Sequence, residues 1–236
     1  SRPAPYTVWL HDTYNKGRIG AMPGYRLIIG DRNLSSWSLR AWLLLRQFGL
    51  PFEEVLIHLD QPDTRRKILD YSAAGRVPVL VAGDQTIWDS LAITEFVAEQ
   101  HPELAIWPRD AKQRARARVM AAEMHAGFQT LREELSFNVQ APAPHPLRGE
   151  GLNADITRIR EMWRRQLDDK QAPGDFLFGS FCAVDAMYAP VAVRFHLYKV
   201  PLDATCRAYM DVVLQLPGLR TWLADAAAEV APSGSG

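Results

Sequence analysis

Apolar positions along this chain follow two regimes that change near residue 101. In the first, short apolar runs alternate with helical stripes. YRLIIG (25–30) reads as a strand, and Ser36 to Phe48 as a helix with Ala41, Leu44, Leu45 and Phe48 on one face and Trp37 and Trp42 beside it. That helix is apolar almost all round, which predicts burial on more than one side. Gly49 and Pro51 end it. FEEVLIHL (52–59) reads as a second strand, QPDTRRKILDYS as a polar helix or turn, VPVLVA (77–82) as a third strand and TIW (86–88) as a fourth after a turn at Gly83-Asp84. DSLAITEFVAEQHP then reads as a helix ending before Pro102. The order β-α-β-α-β-β-α predicts a parallel first pair of strands, closed by a hairpin into a mixed sheet.

After the linker the strand pattern disappears. One helix is expected over 111–136, with Met120, Met124, Phe128, Leu131 and Leu135 on one face. APAPHPLRGEG (141–151) reads as a loop. A second helix is expected from an N-cap at Asn153, with Ile156, Ile159, Trp163 and Leu167 on its apolar side. Further helices are expected near 184–198, 204–216 and after Pro217. The expected fold class is therefore α/β followed by all-α: a small mixed-sheet domain over 25–101, a linker over 102–110 and an all-helical domain over 111–230. Residues 1–24 show no period and read as an extension or expression remnant, with Met22 as an alternative start; residues 231–236 read as a flexible tail.

Composition narrows the function. Lys plus Arg equals Asp plus Glu at 27 each, which gives no sign of a nucleic-acid partner. No apolar run is long enough to span a bilayer. Two cysteines, Cys182 and Cys206, are too few for a disulfide framework or a metal cage, so no metal is expected and a cytoplasmic location is the simplest reading.

Three short stretches carry candidate chemistry. In GRVPVL (75–80) a proline enters a strand; it is either the first residue of an edge strand or the second residue of a cis Val77–Pro78 bond that turns the Val77 backbone towards a pocket. In WDSLAI (88–93), Asp89 and Ser90 stand where a strand becomes a helix; they cap it, or they also hold an α-amino acid end, carboxylate at Ser90 and ammonium near Asp89. In NLSSWSLR (33–40), Ser35 precedes the buried helix, as a cap or as a hydrogen-bond donor to an anion. No G-x-S-x-G elbow accompanies it, so a nucleophilic role has no support. His125 reads as structural, and the cysteines as core or capping residues.

The order and spacing of the three stretches resemble the soluble glutathione S-transferase superfamily, over roughly residues 25 to 229. SSWSLR resembles the serine-type signature of the zeta class, GRVPVL the family's cis-proline loop, DSLAI its Glu/Gln-Ser pair, and FLFGSFCAVDAMYAP a segment of its second domain. Trp37 stands where the zeta signature has cysteine, and Asp89 is shorter than the usual Glu or Gln. The resemblance implies a thioredoxin-like N-terminal domain joined to a helical C-terminal domain, with glutathione as co-substrate, a small-molecule electrophile as second substrate, and a homodimer. Residue by residue, it implies that Val77 pairs its backbone with the cysteinyl part of glutathione and that Ser90 and Asp89 hold the γ-glutamyl carboxylate and amine. Pro78 would be structural, Arg76 an aid to a carboxylate, and Ser35 a donor to the sulfur. Met124 and Phe128 would border the second-substrate pocket. It further implies that Asp185 reaches back to the N–H of residue 182, a contact worth on the order of 1–2 kcal/mol. The expected activity is glutathione conjugation. A glutathione-dependent cis-trans isomerase of the maleylacetoacetate type and a non-catalytic transferase-like module are the alternatives; Ser35, Val77, Pro78, Asp89 and Ser90 retained together weigh against the last.

Overall fold

The computed structural model describes residues 24–229; the expected tail over 231–236 and, apart from Gly24, the expected extension over 1–24 lie outside them. The first half holds strand β1 (Tyr25–Gly30), helix α1 (Ser36–Gln47), β2 (Phe52–Ile57), α2 (Thr64–Leu69), β3 (Val79–Ala82), β4 (Gln85–Trp88) and α3 (Ser90–Gln100). The sheet order is β2-β1-β3-β4, with β1 parallel to β2, antiparallel to β3, and β3–β4 the closing hairpin. Alternation along the strands splits the interior. Leu27, Ile29 and Leu80 face the side covered by α1 and α3, whereas Ile28, Ile57 and Val79 face the side covered by Ile68 of α2.

The second half is helical: α4 (Ala111–Ala126), α5 (Gln129–Glu134), α6 (Glu150–Asp169), α7 (Ala183–Leu197), α8 (Ala204–Leu214) and α9 (Pro217–Ala228). Helix α1 packs on β1, α3, α7 and α9, and Leu39, Ala41, Trp42, Leu43, Leu44 and Leu45 are at most 1% exposed. Each large side chain buried in this way contributes roughly 1.5–3 kcal/mol. Trp42 meets Trp222 of α9 edge-on at 5.2 Å between centroids. The Trp222 indole donates to the Arg32 carbonyl at 3.0 Å, and Glu229 accepts from the backbone N–H groups of Arg32 and Asn33 at 3.0 and 3.1 Å. The end of the helical half thus holds the loop that leads into α1.

Two helical expectations need correction. The helix expected over 111–136 is two helices. Gly127 ends α4 where a Cβ would meet the Glu123 carbonyl at 2.8 Å, and Phe128 turns the chain with φ 59°. The apolar stripe survives the break because Met124, Phe128, Leu131 and Leu135 are all buried. Helix α6 begins at Glu150 rather than after Asn153, because Gly149 turns the chain in earlier and Asn153 already donates to the Gly149 carbonyl at 3.0 Å.

Pro190 lies inside α7, which runs on through it. Asp185 makes the expected bond to the Cys182 N–H at 2.9 Å and also accepts from the Leu177 N–H at 3.3 Å and the Tyr209 hydroxyl at 2.9 Å. Burial pushes its carboxyl pKa up from 3.8 to about 6 against these donors. Asp185→Ala leaves buried donors unpaired and is expected to cost about 3 kcal/mol in urea unfolding, more than capping alone. The folded chain binds the Asp185 proton more tightly than the unfolded chain does. Its contribution to stability therefore falls as pH rises from about 4 to about 6, and the gap between wild type and Asp185→Ala should narrow over that interval.

Candidate active site

Both halves contribute to one cavity of about 670 Å³, a size suited to a small peptide-like ligand. The loop before β3 supplies Arg76, Val77 and Pro78, and the Val77–Pro78 bond is cis. The junction of β4 and α3 supplies Trp88, Asp89 and Ser90, the start of α1 supplies Trp37, and the last turn of α4 supplies His125.

Asp89 holds a φ of 76°, a conformation rare for a residue with a side chain. One carboxylate oxygen caps α3 by accepting from the N–H groups of Leu91 and Ala92 at 2.8 and 3.3 Å. The other lies 3.1 Å from His125 Nε2, which ties the helical half to this junction. Ser90 is 1% exposed, and its hydroxyl oxygen has no hydrogen-bond partner among the described residues. A buried hydroxyl without a partner is costly, so an oxygen-rich ligand group reaching Ser90 would recover that energy.

Ser35 lies elsewhere. Its oxygen accepts from the Ser38 N–H at 3.2 Å and donates to Ser38 Oγ at 2.7 Å, and Ser38 Oγ accepts from the Gly30 N–H at 3.1 Å. Ser35 caps α1 and does not line the cavity; Trp37 does. Met124 and Phe128 are in the core and do not line it either. The structure thus brings Val77, Pro78, Asp89, Ser90 and Arg76 together and leaves Ser35, Met124 and Phe128 behind the wall.

Trp37 covers a cationic interior. The Arg40 guanidinium carbon lies 4.2 Å from its ring centroid, that of Arg132 4.9 Å, and the His125 ring stands edge-on at 5.3 Å. Arg194 donates to the Leu135 carbonyl at 2.7 Å and to Ser36 Oγ at 3.4 Å. Arg132 donates to the Met124 and His125 carbonyls, closing the end of α4. Arg40 is 3% exposed, and its Nε and Nη1 have no partner among the described residues. Desolvation, with Arg132 and Arg194 nearby and opposed by Asp89, pushes its pKa down to about 9. Among these residues the motif arginine is visible in the sequence. No local pattern marks His125 or Arg132; Arg132 is turned back onto the end of α4 by the break at Gly127 and Phe128.

Residues 34–100 match the family described as the glutathione S-transferase N-terminal domain. A probable maleylacetoacetate isomerase of Caenorhabditis elegans is 32% identical over 100 residues, covering 42% of this chain and 46% of its own. A zeta-class glutathione S-transferase of Euphorbia esula is 35% identical over 82 residues, covering 34% of this chain and 36% of its own. The matched stretches thus span less than half the length of these relatives. A glutathione transferase homolog from Burkholderia, solved with bound glutathione, superposes with a TM-score of 0.68 at 22% identity, over 87% of this chain and all of its own. At that identity the likeness establishes the two-domain fold.

Because Arg40 is a buried charge among like charges, its replacement by an apolar side chain of similar length should relieve the folded state. Arg40→Met is expected to raise stability by about 1 to 4 kcal/mol, read as a higher urea midpoint with an unchanged slope.

Proposed function

Residues 34–100 match the glutathione S-transferase N-terminal domain, and from that premise we propose that the chain is an enzyme of this family that binds glutathione in the cavity and conjugates its sulfur to a small electrophile. One observation carries the reading: the cis Val77–Pro78 loop, Asp89 and the unpartnered Ser90 hydroxyl all line one cavity. In the proposal, the Val77 backbone pairs with the cysteinyl unit and Ser90 donates to the γ-glutamyl carboxylate. Asp89 faces the ammonium with the lone pairs left free by its three existing contacts. Arg65 and Arg76, also lining the cavity, suit the second carboxylate of the tripeptide.

Ser35 is not carried into the proposal, because it caps α1 and does not line the cavity. The field of Arg40, Arg132 and Arg194 beneath Trp37 favours negative charge nearby, and so favours thiolate over thiol. The electrophile then meets the thiolate on the side of Trp37 and the helical half. The proposed assembly is a homodimer in the cytoplasm.

The same buried guanidinium groups favour a second reading. An electrophile that carries a carboxylate, as a maleyl compound does, matches a cationic wall better than a neutral one does, so glutathione-dependent cis-trans isomerisation is the close alternative. In the isomerase the sulfur adds to a double bond, the single bond rotates, and the sulfur leaves.

Binding to immobilised glutathione tests the site. Ser90→Ala is expected to weaken affinity about tenfold, because it removes a hydrogen bond to a charged group. Retention unchanged in Ser90→Ala would place glutathione elsewhere. Steady-state turnover of aryl halides against maleyl substrates separates the two reactions.

A further inference from the structure

Helix α2 carries three successive cations. Arg66 and Lys67 pair with Asp63 at 3.7 and 3.0 Å. Arg65 makes no hydrogen bond or ion pair among the described residues, and it lines the cavity. Its guanidinium lies against the backbone of Gly75, where a Cβ would come within 2.7 Å of Nη1. Gly75 has a φ of 60° and stands just ahead of the cis Val77–Pro78 bond. Arg65 is thus a free cationic arm laid along the loop that is proposed to pair with the cysteinyl unit.

An exposed arm takes its direction from its base, and the base is held from the end of β1. A Cβ on Gly30 would lie 2.7 Å from Leu59 Cδ1, so Leu59 seats over the strand end. The next residue, Asp31, accepts from the Leu59 N–H at 2.5 Å with one carboxylate oxygen and bonds His58 Nδ1 at 2.5 Å with the other. A carboxylate only accepts, so the ring donates. Thr64, directly before Arg65, donates its hydroxyl to the His58 carbonyl at 2.6 Å and accepts from the Gln61 N–H at 3.0 Å. The loop from His58 to Thr64 is therefore tied at both ends. Asp31, His58 and Thr64 do not line the cavity. Further along α2, Ile68 packs with Ile28, Ile57 and Val79, so the ties at its start fix the part of the helix that carries Arg65. Resting on the reading of the cavity as a glutathione site, we infer that Asp31 is a positioning residue for specificity: through His58, Leu59 and Thr64 it holds Arg65 in place to select a peptide thiol with a free C-terminal carboxylate. An arginine whose base is already fixed loses less freedom when it grips a carboxylate. Asp31 thereby acts on affinity for the glycyl end of the ligand without touching it, and the γ-glutamyl end at Ser90 and Asp89 is unaffected.

The test measures affinity by calorimetry on the full chain, with glutathione and with its glycyl monoethyl ester, which lacks the C-terminal charge. Wild type is expected to bind the ester about tenfold more weakly. Arg65→Met should reduce that ratio to about threefold or less, the remainder being the share of Arg76. Asp31→Asn keeps the shape and can still accept, but its amide group cannot serve as the second acceptor. It should narrow the wild-type ratio about threefold, by weakening glutathione alone. Added to Arg65→Met, it should change the ratio no further, because both changes act through one contact. A general loosening of the fold would weaken both ligands alike and leave the ratio where it was. Equal binding of the two ligands by wild type, an unchanged ratio in Asp31→Asn, or additive effects in the double variant overturns the inference and leaves the glutathione site standing. A wild-type chain that binds neither ligand overturns both. Thr64→Val cuts the tie next to Arg65 and should narrow the ratio in the same way; an unchanged ratio there overturns the inference even if Asp31→Asn fails to fold.

Discussion

Helix α1 is buried from Leu39 to Leu45, leaving only its last turn at Arg46 exposed, and the architecture follows from that. It lies against β1 and α3 of its own half and against α7 and α9 of the other. Its apolar residues supply the contact that makes the two halves one body. The same burial takes Ser36, Ser38 and Arg40 out of solvent, because a helix covered all round has no outer face on which to leave its polar residues. The hydroxyls pair with one another and with nearby groups. The arginine has an aromatic ring over it and two like charges close by, opposed by Asp89. A uniformly apolar helix would pack as well, so the cost of this arginine is a sign of a task beyond folding.

Three guanidinium groups from α1, α5 and α7 meet at the seam between the halves, with Trp37 laid over two of them. Against this field stand Asp89 and the neutral ring of His125. The cavity wall is thus cationic behind, acidic at the α3 junction, and lined on one side by an imidazole. Glutathione, with two carboxylates, an ammonium and a thiol, is complementary to such a distribution. The break at Gly127 contributes: it ends α4 just after His125 and lets Arg132 of α5 fold back onto the α4 carbonyls.

Much of this was legible in the residues. The strand and helix order of the first half, the parallel and hairpin pairings and the all-helical second half follow from apolar period and turn residues alone. Val77, Pro78, Asp89 and Ser90 were grouped only by the resemblance of their motifs to a known family, and all four line one cavity. The boundary of α6 and the split between α4 and α5 were not legible, since an apolar stripe continues across the break while the backbone does not. Ser35 shows a different limit. Its place before a helix is written in the sequence, but the direction of its hydroxyl depends on Ser38 and Gly30, which the fold brings to it.

The sequence by itself determined the local elements and the residues at their ends, because propensity, capping and hydrophobic period act over a few residues. The tertiary structure alone decided which side chains share the cavity. His125 and Asp89 are 3.1 Å apart across the two halves, and Trp37, Arg40 and Arg132 stack from different helices. Such meetings depend on how α1 is buried, a balance of packing over the whole chain to which no short stretch holds the key.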